Sequence, residues 1–109
     1  MDIHFTARRF KAHRDVRDYA MATIRKLDKY YDGIVRSDII LSFERSTNSI
    51  KCAEVILRVD RATLSAREKS DDFVKSLDLA LGKVERQLEK HKTKIRKKDK
   101  KTLRDVKGK

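Results

Sequence analysis

Residues 70–92, SDDFVKSLDLALGKVERQLEKHK, decide how the rest of this chain must fold. Ser70 or Asp71 is placed to cap a helix start, and Asp71 with Asp72 sets negative charge where unpaired backbone N–H groups point. Phe73, Leu77, Ala80 or Leu81, Val84, Leu88 and His91 then recur at three- and four-residue steps, which makes one apolar stripe. With no proline in the chain and a run of good helix formers, the pattern predicts roughly six helical turns. Gly82 is the weak point, about 1 kcal/mol less favourable than alanine in an exposed helix interior. A one-sided helix needs a surface to lie on, and the two strongest strands precede it.

The charges of this helix are sorted. At about 100° per residue, Lys75, Lys83, Arg86 and Lys90 fall on one flank of the stripe. Asp78, Glu85 and Glu89 fall towards the other. Two readings fit: a solvated face of mixed charge, or a basic edge offered to a polyanion.

The totals narrow the choice. A chain of 109 residues is one small domain with at most a tail. Its 29 Lys and Arg against 17 Asp and Glu leave a formal net charge of +12, which predicts attraction to nucleic acid or an anionic membrane surface. No apolar run is long enough to span a bilayer, and the N-terminal MDIHFTARRF does not read as a signal peptide. Cys52 is the only cysteine, so no internal disulfide forms, and the expected location is the reducing cytoplasm.

Upstream, residues 2–7 alternate, with Ile3 and Phe5 on one side, and predict a short strand. From residue 12 or 13 to 31 the spacing becomes helical through Val16, Tyr19, Ala20, Ile24, Leu27 and Tyr31, with no clear cap at the start. Asp32-Gly33 breaks this helix, with Gly33 free to take a left-handed conformation. Residues 34–45 form a strand presenting Ile39, Leu41 and Phe43 to one face, and 46–50 a polar turn. Residues 51–60 present Ala53, Val55, Leu57 and Val59; after Asp60-Arg61, residues 62–68 make a last short strand with Leu64 and Ala66 inward.

This is an α+β pattern, β-α-β-β-β-α, which predicts a four-stranded mixed sheet with two helices packed on one face. Neighbouring first and second strands joined through a helix must be parallel, and the later hairpins antiparallel. The domain is expected to cover residues 1–93. Residues 94–109, with nine Lys or Arg and two Asp, predict a basic, flexible C-terminal tail.

Enzymatic readings fail on inventory. The chain holds three glycines and no phosphate-binding glycine loop. A lone Cys52 with His4, His13 and His91 gives neither zinc-site spacing nor a nucleophile with its base. Cys52 is read as structural, on the strand face opposite Val55, and His91 as a packed or helix-capping residue. No cofactor, metal or small-molecule substrate is expected.

Nucleic-acid binding fares better. Arg8, Arg9 and Lys11 cluster before the first helix; Arg14, Arg25 and Lys29 point away from its stripe; Lys75, Lys83, Arg86 and Lys90 line the second helix. Helices side by side on a sheet would gather these groups on one rim, extended by the run from Lys92 to Lys101, KTKIRKKDKK. Such side chains supply phosphate contacts and salt-dependent affinity without base specificity, and a helix-on-sheet domain suits A-form RNA by shape. Tyr30 is free to stack on a base, whereas Tyr31 is read as core.

Three stretches carry a resemblance: residues 2–6; VRDYAMATIRKLDKYYDGI, residues 16–34; and the stretch 70–92 quoted above. In the last, Asp72, Phe73, Leu77-Asp78 and the run K-x-x-R-Q-L-x-K-H-K beginning at Lys83 match a specific motif. On these residues, over about 1–93, the chain resembles the ribosome hibernation promoting factor and ribosome-associated inhibitor A family, also called sigma-54 modulation proteins. The resemblance implies a fold like that of double-stranded-RNA-binding domains (dsRBD-like). It also implies a domain seated on the small ribosomal subunit, in the channel of messenger and transfer RNA, that silences idle ribosomes by occlusion.

By position, Lys83, Arg86, Lys90 and Lys92 match the family's basic residues in the last helix, and Arg25 and Lys29 those in the first. The implied partners are the small subunit and its ribosomal RNA, with a small helper factor for ribosome dimerisation in short members; the protein is expected to be a monomer off the ribosome. Ending at residue 109 without the second domain of long members, the chain reads as a short form. It departs from the family in having Asp60-Arg61 where many relatives use glycine, and in a basic rather than acidic tail. Two other readings stay open: a generic double-stranded RNA-binding module, and a protein-interaction module acting on a transcription factor.

Overall fold

The alternating segments become strands and the stripes become helices, in the order β1 (Asp2–Ala7), α1 (Arg14–Tyr30), β2 (Ile34–Glu44), β3 (Thr47–Val59), β4 (Ala62–Ser70) and α2 (Phe73–Lys107). The computed structural model describes residues 1–44 and 47–107, with side chains described for 1–44 and 49–93. One sheet, ordered β1-β2-β3-β4, contains all four strands. β1 runs parallel to β2, as its helical connection requires, and the two later pairs are antiparallel.

Both helices lie on one face: α1 over β1 and β2, α2 over β3 and β4. Between the layers sits the core. Ile24 of α1, Ile39 and Leu41 of β2, Val55 and Leu57 of β3, and Leu77, Val84 and Leu88 of α2 are fully buried. Truncating any of these large side chains to alanine removes burial and leaves a cavity, at a cost of about 2–5 kcal/mol.

Where β2 ends, Phe10, Phe43 and Phe73 meet. Phe10 stacks on Phe73 at 4.9 Å, and Phe43 meets both edge-on at 5.0 and 5.2 Å. The cluster ties the β1–α1 connection to β2 and to the first residue of α2, an arrangement that aromatic quadrupoles favour. It holds the segment through Arg9, whose φ of 63° is left-handed.

Several local expectations are corrected. The cap of α2 is Asp72, not Ser70 or Asp71: its carboxylate accepts the Lys75 N–H at 3.1 Å. Ser70 instead closes the turn before the helix, accepting the Asp72 N–H and bonding the buried hydroxyl of Ser76. The predicted polar turn at 46–50 is shorter, because β3 already begins at Thr47 and pairs it with Glu44. Ladder bonds come from the backbone, so polar side chains do not prevent this; Ser46 lies outside the described residues. Arg45, taken with the second strand, lies outside them too.

Gly33 does not adopt a positive φ. Its need for glycine is spatial, since a Cβ there would stand 2.6 Å from the Tyr31 ring. A left-handed residue does occur at Arg61, φ 66°, in the Asp60-Arg61 turn. The backbone of α2 runs on to Lys107. No glycine or proline interrupts residues 93–107, and Lys and Arg are good helix formers. His91 therefore caps nothing: it lies in mid-helix, its ring edge-on to Tyr31 at 6.0 Å.

Candidate nucleic-acid interface

On α1, the residues opposite the apolar stripe are exposed, among them Arg14, Arg25 and Lys29. The outer flank forms a groove of about 700 Å³ lined by Lys11, Ala12, Arg14, Arg17, Asp18, Met21 and Arg25. Four cations face one carboxylate here, and that carboxylate, Asp18, lies 3.8 Å from Arg14 in an exposed pair worth little. Arg17 is the member that sequence reasoning missed. Its position beside Lys11 depends on the β1–α1 connection folding back along the helix, which periodicity does not report.

On α2, Lys75, Arg86 and Lys90 are exposed and fall within about 60° of one another around the helix. Leu79, 46% exposed, stands among them. No hydrogen bond or ion pair engages the Arg86 or Lys90 side chains among the described residues, so both are available to an outside anion. They form a row of cations along the solvent side of the helix.

The two helices do not merge their charges into a single rim, as the sequence suggested. Asp78, Glu85 and Glu89 occupy the flank of α2 turned towards α1, where the Tyr19 hydroxyl donates a hydrogen bond to Asp78. That bond, with burial, pushes the Tyr19 hydroxyl above its ordinary pKa. The acidic seam thus separates the α1 groove from the α2 row.

Lys83 lies on the other flank, where it forms an ion pair with Glu68 of β4. Lys92 reaches back to α1: its ammonium sits 4.3 Å over the Tyr30 ring and 3.4 Å from the Tyr30 carbonyl. Both lysines lean on the domain itself. Tyr30, which the sequence reads as free to stack on a base, has one side of its ring under the Lys92 ammonium and remains 44% exposed.

Arg8 and Arg9 belong to neither helical surface. Continuing the parallel ladder, the Arg8 N–H donates to Leu41 at 2.9 Å, which carries both arginines alongside the end of β2. There they line a second depression of about 640 Å³ with Ser42, Phe43, Glu44, Arg67 and Lys69. Arg67 and Lys69 were also missed by the sequence reading, which looked for cations on helices and at helix starts.

The motif residues that are not basic explain themselves architecturally. Asp72 caps α2, Phe73 completes the aromatic cluster, and Asp78 holds Tyr19. Gln87 bonds the edge of β4 through Ser65. What the motif leaves unexplained by the fold is its exposed cations. Among the described residues no cluster of three or more metal-ligating side chains occurs, and no helix is long and apolar enough to cross a membrane. Cys52 is buried and unbridged.

Residues 3–96 match the protein family described as Sigma 54 modulation protein / S30EA ribosomal protein. A ribosome hibernation promotion factor of Staphylococcus aureus (strain COL) is 32% identical over 97 residues, which cover 83% of this chain and 51% of that protein. The chain thus spans about half the length of that relative. Among solved structures, a ribosomal subunit interface protein from Coxiella burnetii superposes with a TM-score of 0.76 at 25% identity, covering 85% of this chain and 99% of that one. The N-terminal domain of Thermus thermophilus Protein Y superposes with a TM-score of 0.71 at 23% identity over 84% of this chain and 99% of that one, a likeness of fold.

Proposed function

The chain belongs to the Sigma 54 modulation protein / S30EA ribosomal protein family, and from that membership we propose that it silences idle ribosomes. It binds the small ribosomal subunit in the channel of messenger and transfer RNA, acting in the cytoplasm by occlusion and without a chemical step. The observation that carries this reading is the exposed cationic surface of a domain of this family. The α2 row Lys75, Arg86 and Lys90 and the α1 groove of Lys11, Arg14, Arg17 and Arg25 flank an acidic seam. Lys29 adds to the exposed charge of α1. Side chains of this kind contact phosphates and fix orientation on a folded RNA without reading bases.

Residues 1–93 are the ribosome-binding domain in this proposal, and the basic segment 94–109 lends nine further Lys and Arg to the same attraction. Lys83 and Lys92 contribute less than the sequence suggested, because each is held against the domain.

Sedimentation of ribosomes with the protein tests this reading. The wild-type chain is expected with the small subunit and the whole ribosome. The triple variant Lys75→Glu, Arg86→Glu and Lys90→Glu is expected at the top of the gradient with its circular dichroism unchanged. Undiminished co-sedimentation of that variant would overturn the assignment of the α2 row. Equal affinity of the wild type for arbitrary RNA duplexes and for small subunits would replace ribosome silencing with a general double-stranded RNA-binding role.

A further inference from the structure

We infer that the sheet carries a second seat for RNA phosphates on the face the helices leave open, built by Arg8, Arg9, Arg67 and Lys69. The inference rests on the ribosome-binding reading and adds a contact to it, on the opposite side of the domain from α1 and α2.

Register places the seat. On β4, Ala66 is buried beneath α2 and Glu68 pairs with Lys83 of that helix, so the alternate residues Arg67 and Lys69 project from the other face. Across the sheet, Lys69 stands opposite Cys52, and Cys52 opposite Ser42 of β2. The chain leaving β1 passes beside that end of β2 and brings Arg8 and Arg9 to the same depression, about 640 Å³ in volume. Arg9 turns there in a left-handed conformation.

Charge identifies the occupant. Four cations line the depression against one carboxylate, Glu44, whose charge is already met by Lys69 at 3.0 Å. Glu54 stands opposite Arg67 in register but is not part of the lining. No ion pair engages Arg8, Arg9 or Arg67 among the described residues. Three guanidinium groups with open donor forks match phosphate oxygens, and their planar geometry favours phosphate over a generic anion.

Phe43 borders the depression along its strand only, its ring being turned to the helix face and packed on Phe10 and Phe73. An arginine rim along an open strand face suits a sugar-phosphate strand, where contacts are to the backbone rather than to base edges. With the helices bearing one basic surface and the open sheet face another, a single RNA strand does not reach both. The domain is a wedge between two RNA segments.

The test sets two variants side by side against small subunits at several salt concentrations. Arg67→Ala with Lys69→Ala removes two exposed β4 side chains. Because Lys69 is offset by Glu44, the expected loss is that of the Arg67 contact, about fivefold weaker binding near 100 mM salt and a slope of log affinity against log salt lower by about 0.7. Affinity and slope unchanged in this variant would overturn the seat.

The second variant, Lys75→Ala with Arg86→Ala and Lys90→Ala, separates the two claims. If it alone loses binding, the helical reading stands and the seat falls; if only the β4 variant loses binding, the seat stands and the helical row falls. Failure of the wild type to bind overturns both. In parallel, nitrogen-15 spectra should show the Arg8, Arg9 and Arg67 side-chain resonances shifting with a short single-stranded RNA. Equal shifts with inorganic phosphate alone would assign the depression to a free anion and overturn the RNA strand.

Discussion

The side-chain amide of Gln87 accepts a hydrogen bond from the Ser65 N–H at 3.2 Å and donates one to the Ser65 carbonyl at 2.8 Å. β4 is an edge strand, and Ser65 turns its backbone groups outward, where they would otherwise offer a template to another chain. From α2, Gln87 occupies them as a neighbouring strand would. The helix is thereby locked to the sheet edge by a residue that sits within the family's basic run.

Gln87→Ala should therefore destabilise the fold by about 1–2 kcal/mol. For a domain of this size the midpoint of thermal unfolding falls roughly 4–8 °C per kcal/mol. Gln87→Glu keeps an acceptor for the N–H but sets a carboxylate against the carbonyl, so it should rescue none of the loss at neutral pH. Thermal and urea melts of the three proteins decide; a Glu variant as stable as the wild type would remove the donated bond from the account.

Tyr19 and Asp78 make a pH-dependent tie between the helices. The hydrogen bond to Asp78 raises the Tyr19 pKa above 10.0, so the protonated phenol is favoured by folding. The stability it brings is fully present below the unfolded value near 10 and is lost as pH rises through the raised one. Absorbance titration should show one tyrosine ionising later than the others, and Asp78→Asn should bring it back towards the ordinary range. A wild-type titration identical to that of the Asn variant would count against the bond.

Two glycines should respond oppositely to alanine. At Gly82 an added Cβ meets nothing within 4 Å, and the helix gains intrinsic propensity, so Gly82→Ala should stabilise by about 0.5–1 kcal/mol. At Gly33 the Cβ would stand 2.6 Å from the Tyr31 ring, which is itself packed edge-on against His91. Gly33→Ala should destabilise by about 1–3 kcal/mol as the ring shifts. Urea denaturation measures both, and a shared sign would refute the distinction.

The family's basic run should split when each cation is removed singly. Lys83 is committed to Glu68, whereas Arg86 is unpaired among the described residues. Lys83→Ala should retain small-subunit affinity within about twofold, and Arg86→Ala should lose about fivefold or more, equivalent to roughly 1 kcal/mol. Binding titrations at one salt concentration compare them. Equal losses would mean that the Glu68 pair opens on binding.

Much of this protein was legible from residue order. Period two in residues 2–7 and 51–59, and period three-to-four in 16–31 and 73–91, report which face each segment buries, because burial is the dominant local demand. The parallel pairing of β1 with β2 followed from a helical connection between them. The motif from Asp72 to Lys92 carries the family signature in residue order alone.

Only the tertiary structure decided which charges remain available. Lys83 and Arg86 look alike in sequence, three residues apart in one basic run, yet one meets Glu68 and the other meets solvent. Arg67 and Lys69 drew no notice on a short strand until the return of Arg8 and Arg9 past β2 made them neighbours. The physical reason is one of range. Hydrophobic periodicity is a local signal written along one element, whereas ion pairing and charge clustering depend on groups brought together from distant parts of the chain.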